Sequence, residues 1–377
     1  MSRLALFIRP RGLVAAILVP VGAVALALLT TGILLLIVGS DPVQAYKSMF
    51  EAAFGNSFAL GNTLVKTVPR LLPALGIAVA LRAGLWNIGA EGQLYIGAIA
   101  ATAITIWFPD LGAAGIVLAL LAAALAGGAW GAVPGVLRAT RGVNEVITSL
   151  MLVYVAILLA GYLVGGPWSV PNSSFPGSEP VSAGERLPII WDKTLLNAGF
   201  LVALVLLGLT WVLVSRSSLG LRLRAVGGNV KSARLAGINV KRAIVVAMAI
   251  SGAYAGLAGG IEILGVRGRL IDGFSPGYGF EAIAIALLGG LNPIGILLGA
   301  LLFGALDAGS AGLQTAAPGT PSSIVQVSES LTVIYLLIAL GARDMWMRRR
   351  SARAALAERS GEAPATGVAS GGQEALG

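Results

Sequence analysis

Leu85-Trp86-Asn87-Ile88-Gly89-Ala90-Glu91-Gly92-Gln93-Leu94 separates two apolar runs, residues 71–81 before it and 95–107 after it. Within ten residues it carries two amides, a carboxylate, a tryptophan and two glycines. Polar, glycine-broken backbone between runs of this kind is costly in lipid and survives only when buried in protein or lining water. The stretch therefore reads as a break between helices inside a membrane protein.

Composition agrees. Of 377 residues, 56% are hydrophobic and 11% charged, and the mean hydropathy is +0.87. Soluble domains carry roughly 25% charged residues, so this chain lacks the means to solvate an ordinary surface. The net charge of +9 is no sign of nucleic-acid binding, because Lys and Arg fall between the apolar runs instead of forming one basic face. Lipid is the implied surroundings, with no nucleic acid. Without Cys or His, disulfides, thiol nucleophiles, imidazole chemistry and the usual zinc ligands are ruled out. No Lys follows a Gly, so the chain has no Walker A phosphate loop. Any ATP must be hydrolysed elsewhere, and no cofactor is expected in this chain.

Spans need about 20 apolar residues each. The candidates are 13–38, 63–81, 93–107, 112–137, 143–164, 194–214, 243–264, 277–288, 294–306 and 324–340. The fold class expected is an all-α polytopic membrane protein of about ten transmembrane helices, some short or broken. The first run exceeds a secretory h-region and reads as a retained span. Residues 1–12 precede a permeating domain at 13–342. A basic, then Gly- and Ala-rich disordered tail occupies 343–377. With both termini inside, 19 of the 26 Lys and Arg fall on the cytoplasmic side, as the positive-inside bias requires. Runs 277–288 and 294–306 are each short, and either cross or dip and return. A Pro-rich external loop at 165–193 has the length to touch a partner or to serve as a plain connector.

The cytoplasmic segment 215–242 holds a compact unit. Asn229 suits an N-cap, Gly237 suits a left-handed stop, and Ile238 is placed to pack back. The helix between them, about 230–236, is too short to hold alone and needs something to dock on. A partner groove or the lipid headgroups would each serve. Its candidate contact residues are Gly228, Asn229, Lys231, Ser232, Arg234, Leu235, Ala236 and Gly237.

Ionisable groups at membrane depth are functional candidates. Glu91, Glu145 and Glu281 each also open a helix, where a negative charge suits the N-terminal dipole. Asn144 is a plausible cap for the helix at Glu145. Glu262 and Asp307 are expected near outer, wet ends. Trp86, Asn87, Gln93, Asn144, Tyr278 and Phe280 suit a path for a nucleobase or a sugar, but interface anchoring and helix bridging would use the same residue types. The glycine runs 127–131 and 252–260 permit close helix approach.

The pattern Ala225-x-Gly227-x-Asn229-x-x-x-Ala233-x-x-Ala236-Gly237-Ile238 resembles the cytoplasmic coupling loop of permease subunits in ABC importers for simple sugars, nucleosides and branched-chain amino acids. Gly84-Leu85-Trp86-Asn87-Ile88-Gly89-x-Glu91-Gly92-Gln93 resembles the signature of the nucleoside branch, which is served by basic-membrane-protein-type lipoproteins. Gly142-Val143-Asn144-Glu145-Val146-Ile147-Thr148-Ser149-Leu150-Met151 and Ala286-Leu287-Leu288-Gly289-Gly290-Leu291-Asn292-Pro293-Ile294-Gly295 fit that branch too. Trp86 departs from it, standing where a smaller apolar residue is expected.

The resemblance implies a non-catalytic permease of the bacterial cytoplasmic membrane. It implies a separate ATPase subunit that binds ATP and Mg, a second permease chain of different sequence, and an extracytoplasmic binding lipoprotein. The short helix after Asn229 would enter the ATPase. The alternative is a stand-alone secondary transporter or channel, which broken helices fit equally.

Overall fold

The computed structural model describes residues 10–170, 176–316, 324, 326–335 and 337–339. Residues 1–9 of the expected N-terminal segment and the whole expected tail, 343–377, lie outside the described residues. Among the described residues, twelve α-helices precede residue 317. They are α1 (Pro10–Ile37), α2 (Pro42–Phe54), α3 (Ser57–Arg82), α4 (Ala90–Trp107), α5 (Ala113–Arg141) and α6 (Glu145–Gly165). Then follow α7 (Gly199–Arg216), α8 (Ser218–Gly228), α9 (Val230–Leu235), α10 (Val240–Glu262), α11 (Tyr278–Leu288) and α12 (Pro293–Ala316). Residues 326–335 are helical again. Among the described residues there is no β-sheet, only two isolated bridges.

Six of these helices are long and apolar enough to cross a membrane: α3, α5, α6, α7, α12, and α10 with the turn after it. Shorter apolar helices lie at Val21–Ile37 and Tyr278–Leu288. The pattern is inverted relative to a soluble protein. On α6, Ile147, Met151, Tyr154, Val155, Leu158 and Tyr162 form an exposed apolar stripe, suited to lipid. By contrast, α3 is buried along nearly all of its length from Thr63 to Ala80.

α10 lies at the centre. It runs antiparallel to α3 and α5 and parallel to α4, and small residues set the spacing. A Cβ on Gly252 would collide with the Gly127 carbonyl, and one on Gly256 with that of Ala123. This backbone-to-backbone approach is what the two glycine runs permit. Beyond Glu262 the helix widens into a π turn over Ile263–Arg267, and Gly268, at φ 70°, ends it.

Several boundaries differ from the sequence expectation. α2, between the first two expected spans, is amphipathic and starts from an Asp41 cap followed by Pro42. α4 starts at Ala90, before Gln93. Residues 194–198 are non-helical and precede α7. Among its described residues the 165–193 loop is irregular, as its prolines require, apart from one 3-10 turn at Ala183–Glu185. It does not float free. Ser178 N–H donates to Leu270 O at 2.8 Å, Val181 N–H to Gly268 O at 2.7 Å, and Leu187 N–H to Leu264 O at 3.0 Å. These bonds lay it along the π turn.

Candidate functional site

Three polar features stand out, and residues 83–93 touch two of them. The first is the short helix α9. The Asn229 side chain accepts from the N–H groups of Lys231 and Ser232. Gly237 takes φ +77°, and Ile238 N–H donates to Ala233 O at 3.1 Å, which closes a Schellman turn. The unit is held through Ala233, buried with Leu85, Leu223, Val226 and Ala247. Its other side is free: Lys231, Ser232, Arg234 and Ala236 are exposed, and Leu235 is 90% exposed. On this capped helix an exposed leucine stands beside two exposed cations, the pattern an apolar groove with an acidic rim would complement.

The helix before it, α8, was not evident from its glycines. Ser217 caps it by accepting from Gly220 N–H at 3.0 Å, and Leu223 and Val226 bury its inner face. Gly228 closes it beside the Asn229 cap. Gly227 lies on the turn after α3. A Cβ there would collide with Arg82 O and lie 2.9 Å from Gly84 N.

The second feature is an amide clamp within the break itself. Asn87 Nδ2 donates to Gln93 Oε1 at 2.8 Å and to Ser251 Oγ on α10 at 2.8 Å. Gln93 Nε2 returns a bond to Asn87 Oδ1 at 3.0 Å, which also accepts from Gly89 N–H at 3.1 Å. All three side chains are buried. Both donors and both acceptor positions of Asn87 are thereby used. As placed, Asn87 bridges helices with no free group left for a passing solute, and Gln93 is buried beside it.

The third feature is a charge cluster in the interior of the bundle. Arg70, in the middle of α3, is 1% exposed. Its Nε lies 2.6 Å from Glu281 Oε2 and its Nη1 3.0 Å from Asp307 Oδ2. Lys66 Nζ lies 2.8 Å from Asp307 Oδ1. The guanidinium also stands 4.7 Å from the Tyr278 ring centroid. Nearby, Arg267 Nε lies 3.1 Å from Glu262 Oε1, and its Nη2 donates to Phe274 O at 2.8 Å. Glu329, on the last described helix, is buried with Oε1 unbonded. Among the described residues the cluster thus gathers three cations and four carboxyl groups. Asp307 and Glu262 are not wet helix ends, as their sequence positions suggested. Asp307 pairs with Lys66 and Arg70, more than 200 residues away in sequence, and Glu262 with Arg267, five residues on.

The remaining sequence candidates separate clearly. Glu91 is buried and its Oε2 accepts from Gly279 N–H at 2.6 Å. It thus joins the first turns of α4 and α11. Asn144 caps α6 through Val146 N–H at 2.9 Å, and Glu145 pairs with Arg138 at 3.3 Å. Tyr278 is buried, whereas Trp86 and Phe280 keep large exposed faces. No group of three or more potential metal ligands occurs among the described residues.

The chain matches known proteins over most of its length. Residues 59–341 fit the family described as branched-chain amino acid transport system / permease component. The glucose ABC transporter permease protein TsgB13 of Haloferax volcanii is 37% identical over 331 residues, 84% of this chain and 86% of that protein. The guanosine ABC transporter permease protein NupP of Bacillus subtilis is 35% identical, covering 87% of this chain and 94% of that protein. A second guanosine permease of the same bacterium, NupQ, is 30% identical over 66% of this chain and 80% of its own length. No solved structure matches. With its buried α3–α10 core, apolar outer helices and matched length, the chain belongs to this family: it is the multi-pass membrane permease component of an ABC transporter.

Proposed function

We propose that this chain carries nucleosides across the cytoplasmic membrane, with simple sugars as the next candidate cargo, driven by ATP hydrolysed on a separate ATPase subunit. The observation that carries the mechanism is α9, fixed at both ends and presenting Lys231, Arg234 and Leu235 outward. A groove on the ATPase with an apolar floor and acidic rim would take this helix. The rim charges would speed encounter more than they tighten binding. The nucleoside reading is supported by the guanosine permeases among its relatives and by the Asn87-Ile88-Gly89-x-Glu91-Gly92-Gln93 segment.

Both termini lie in the cytoplasm in this reading, with about ten crossings, and Arg82, Arg138, Arg141 and the α8–α9 segment share that side. Two guanosine permeases of different sequence in one bacterium support pairing with a second, non-identical chain. A binding lipoprotein would deliver cargo on the far side, where the 165–193 loop lies. This chain does no chemistry on its cargo, and ATP and Mg belong to the partner. Along the path, Trp86 and Phe280 are the candidates with free faces. Asn87, Glu91, Gln93, Asn144, Glu145, Tyr278 and Glu281 shape the helices around it.

The test is uptake into proteoliposomes holding this chain with its second permease, ATPase and binding protein. Labelled guanosine is expected to accumulate only with ATP. Accumulation of glucose but not guanosine would overturn the substrate assignment.

A further inference from the structure

The inference concerns how movement at α9 would reach the membrane helices, and it rests on the reading of α9 as the ATPase contact. We propose that residues 83–93 are a rigid link carrying displacement of α8 and α9 to α4 and α10, with Asn87, Gln93 and Ser251 as its positioning residues. Each end of the link is fixed by a different kind of contact.

At the α8–α9 end the contact is backbone on backbone. Gly84, at φ +77°, lies against Gly227, and no side chain fits between them. Leu85 is packed with Leu223, Val226 and Ala233, so α8 and α9 close on the link from one side. Arg82 Nη2 donates to Leu291 O at 2.6 Å, which ties the same turn to the α11–α12 connection. A push on α9 has no soft layer in which to dissipate, because close-packed interiors transmit strain.

At the other end the contact is the amide clamp. Asn87 is joined by four hydrogen bonds to Gln93 on α4, Ser251 on α10 and Gly89 within the link. Shifting Asn87 alone would strand buried amide groups, so the group moves as a unit or not at all. Gly89 and Gly92 continue the chain of contacts. A Cβ on Gly89 would lie 2.9 Å from Ser149 Cβ, and one on Gly92 would lie 2.7 Å from Val153 Cα, both on α6. One short segment therefore reaches α4, α6 and α10 together. The polarity of the break is explained by this joint without assigning the amides to cargo.

The experiment measures uptake and ATP hydrolysis together in the complete reconstituted transporter. Asn87→Ala is expected to leave ATPase association and hydrolysis intact and to lower uptake per ATP about tenfold, within the usual range of coupling between sites. Ser251→Ala removes one bond and is expected to lower the same ratio about threefold. A merely structural role would reduce uptake and hydrolysis in parallel with the amount of folded protein. An unchanged ratio in both variants overturns the proposal. Where Asn87→Ala fails to insert, hydrogen exchange on the unaltered transporter decides. Protection of amides 84–93 should change on vanadate trapping of the ATPase, and unchanged protection overturns the link. Leu235→Asp separates this idea from the reading it rests on. If that variant keeps full ATPase association, the α9 assignment fails. If it loses association while Asn87→Ala keeps a normal ratio, only the link fails.

Discussion

At the scale of single residues, Arg70 dominates. A guanidinium in the middle of a membrane-crossing helix is tolerable only when its charge is matched at close range. Glu281 and Asp307 do this from α11 and α12, with Nε–O and Nη1–O distances of 2.6 and 3.0 Å. Removing one member of such a set leaves buried charge uncompensated, so Arg70→Met should lower stability by about 3–5 kcal/mol. The check is the unfolding midpoint of the purified protein in detergent, and an unchanged midpoint would contradict the pairing. The sequence does not disclose this cluster. Arg70 is one of seven basic residues left over from the cytoplasmic charge count, and Glu281, its partner, is 211 residues away. Trp86 raises the opposite case, a large aromatic with a free face beside a buried clamp. If it stacks on a nucleobase, Trp86→Ala should raise the guanosine concentration for half-maximal uptake about fivefold or more, a typical loss for one aromatic stack. Hydrolysis without cargo should stay unchanged.

At the scale of elements, what could be read from the chain was what local chemistry determines. The caps of α9 at Asn229 and Gly237 were visible because an amide acceptor and a left-handed glycine have fixed local uses. Glu91, Glu145 and Glu281 likewise stand in the first turns of α4, α6 and α11. α8 was hidden. Gly220, Gly227 and Gly228 lower its intrinsic propensity, and it forms because Leu223 and Val226 bury against α3 and α10. The α4 break was legible as polar backbone in a membrane setting, but not the destination of its amides, since Ser251 is 164 residues from Asn87. Loss of the α9 cap should be local. Asn229→Ala is expected to cost about 1 kcal/mol, read as roughly fivefold faster hydrogen exchange in 230–237 with no change elsewhere. A global change would contradict the separation of α9 from the core.

At the scale of the whole molecule, composition and the spacing of apolar runs sufficed for an all-helical membrane protein, because lipid leaves few other solutions for the backbone. The order of packing was less accessible. That α3 and α10 are central while α6 and α7 turn apolar faces outward follows from glycine contacts between distant runs, which a hydropathy reading does not rank. The separate parts share one frame: in the proposed account α9 docks on the ATPase and residues 83–93 join it to the core, while the Arg70 cluster ties α3, α11 and α12 together. The most direct test of this account removes residues 230–236 and measures ATP-driven guanosine uptake by the fully assembled transporter in proteoliposomes. The account predicts that the shortened chain still inserts but that uptake is abolished. Full uptake by the shortened chain, or uptake driven by an ion gradient without the ATPase, would contradict it.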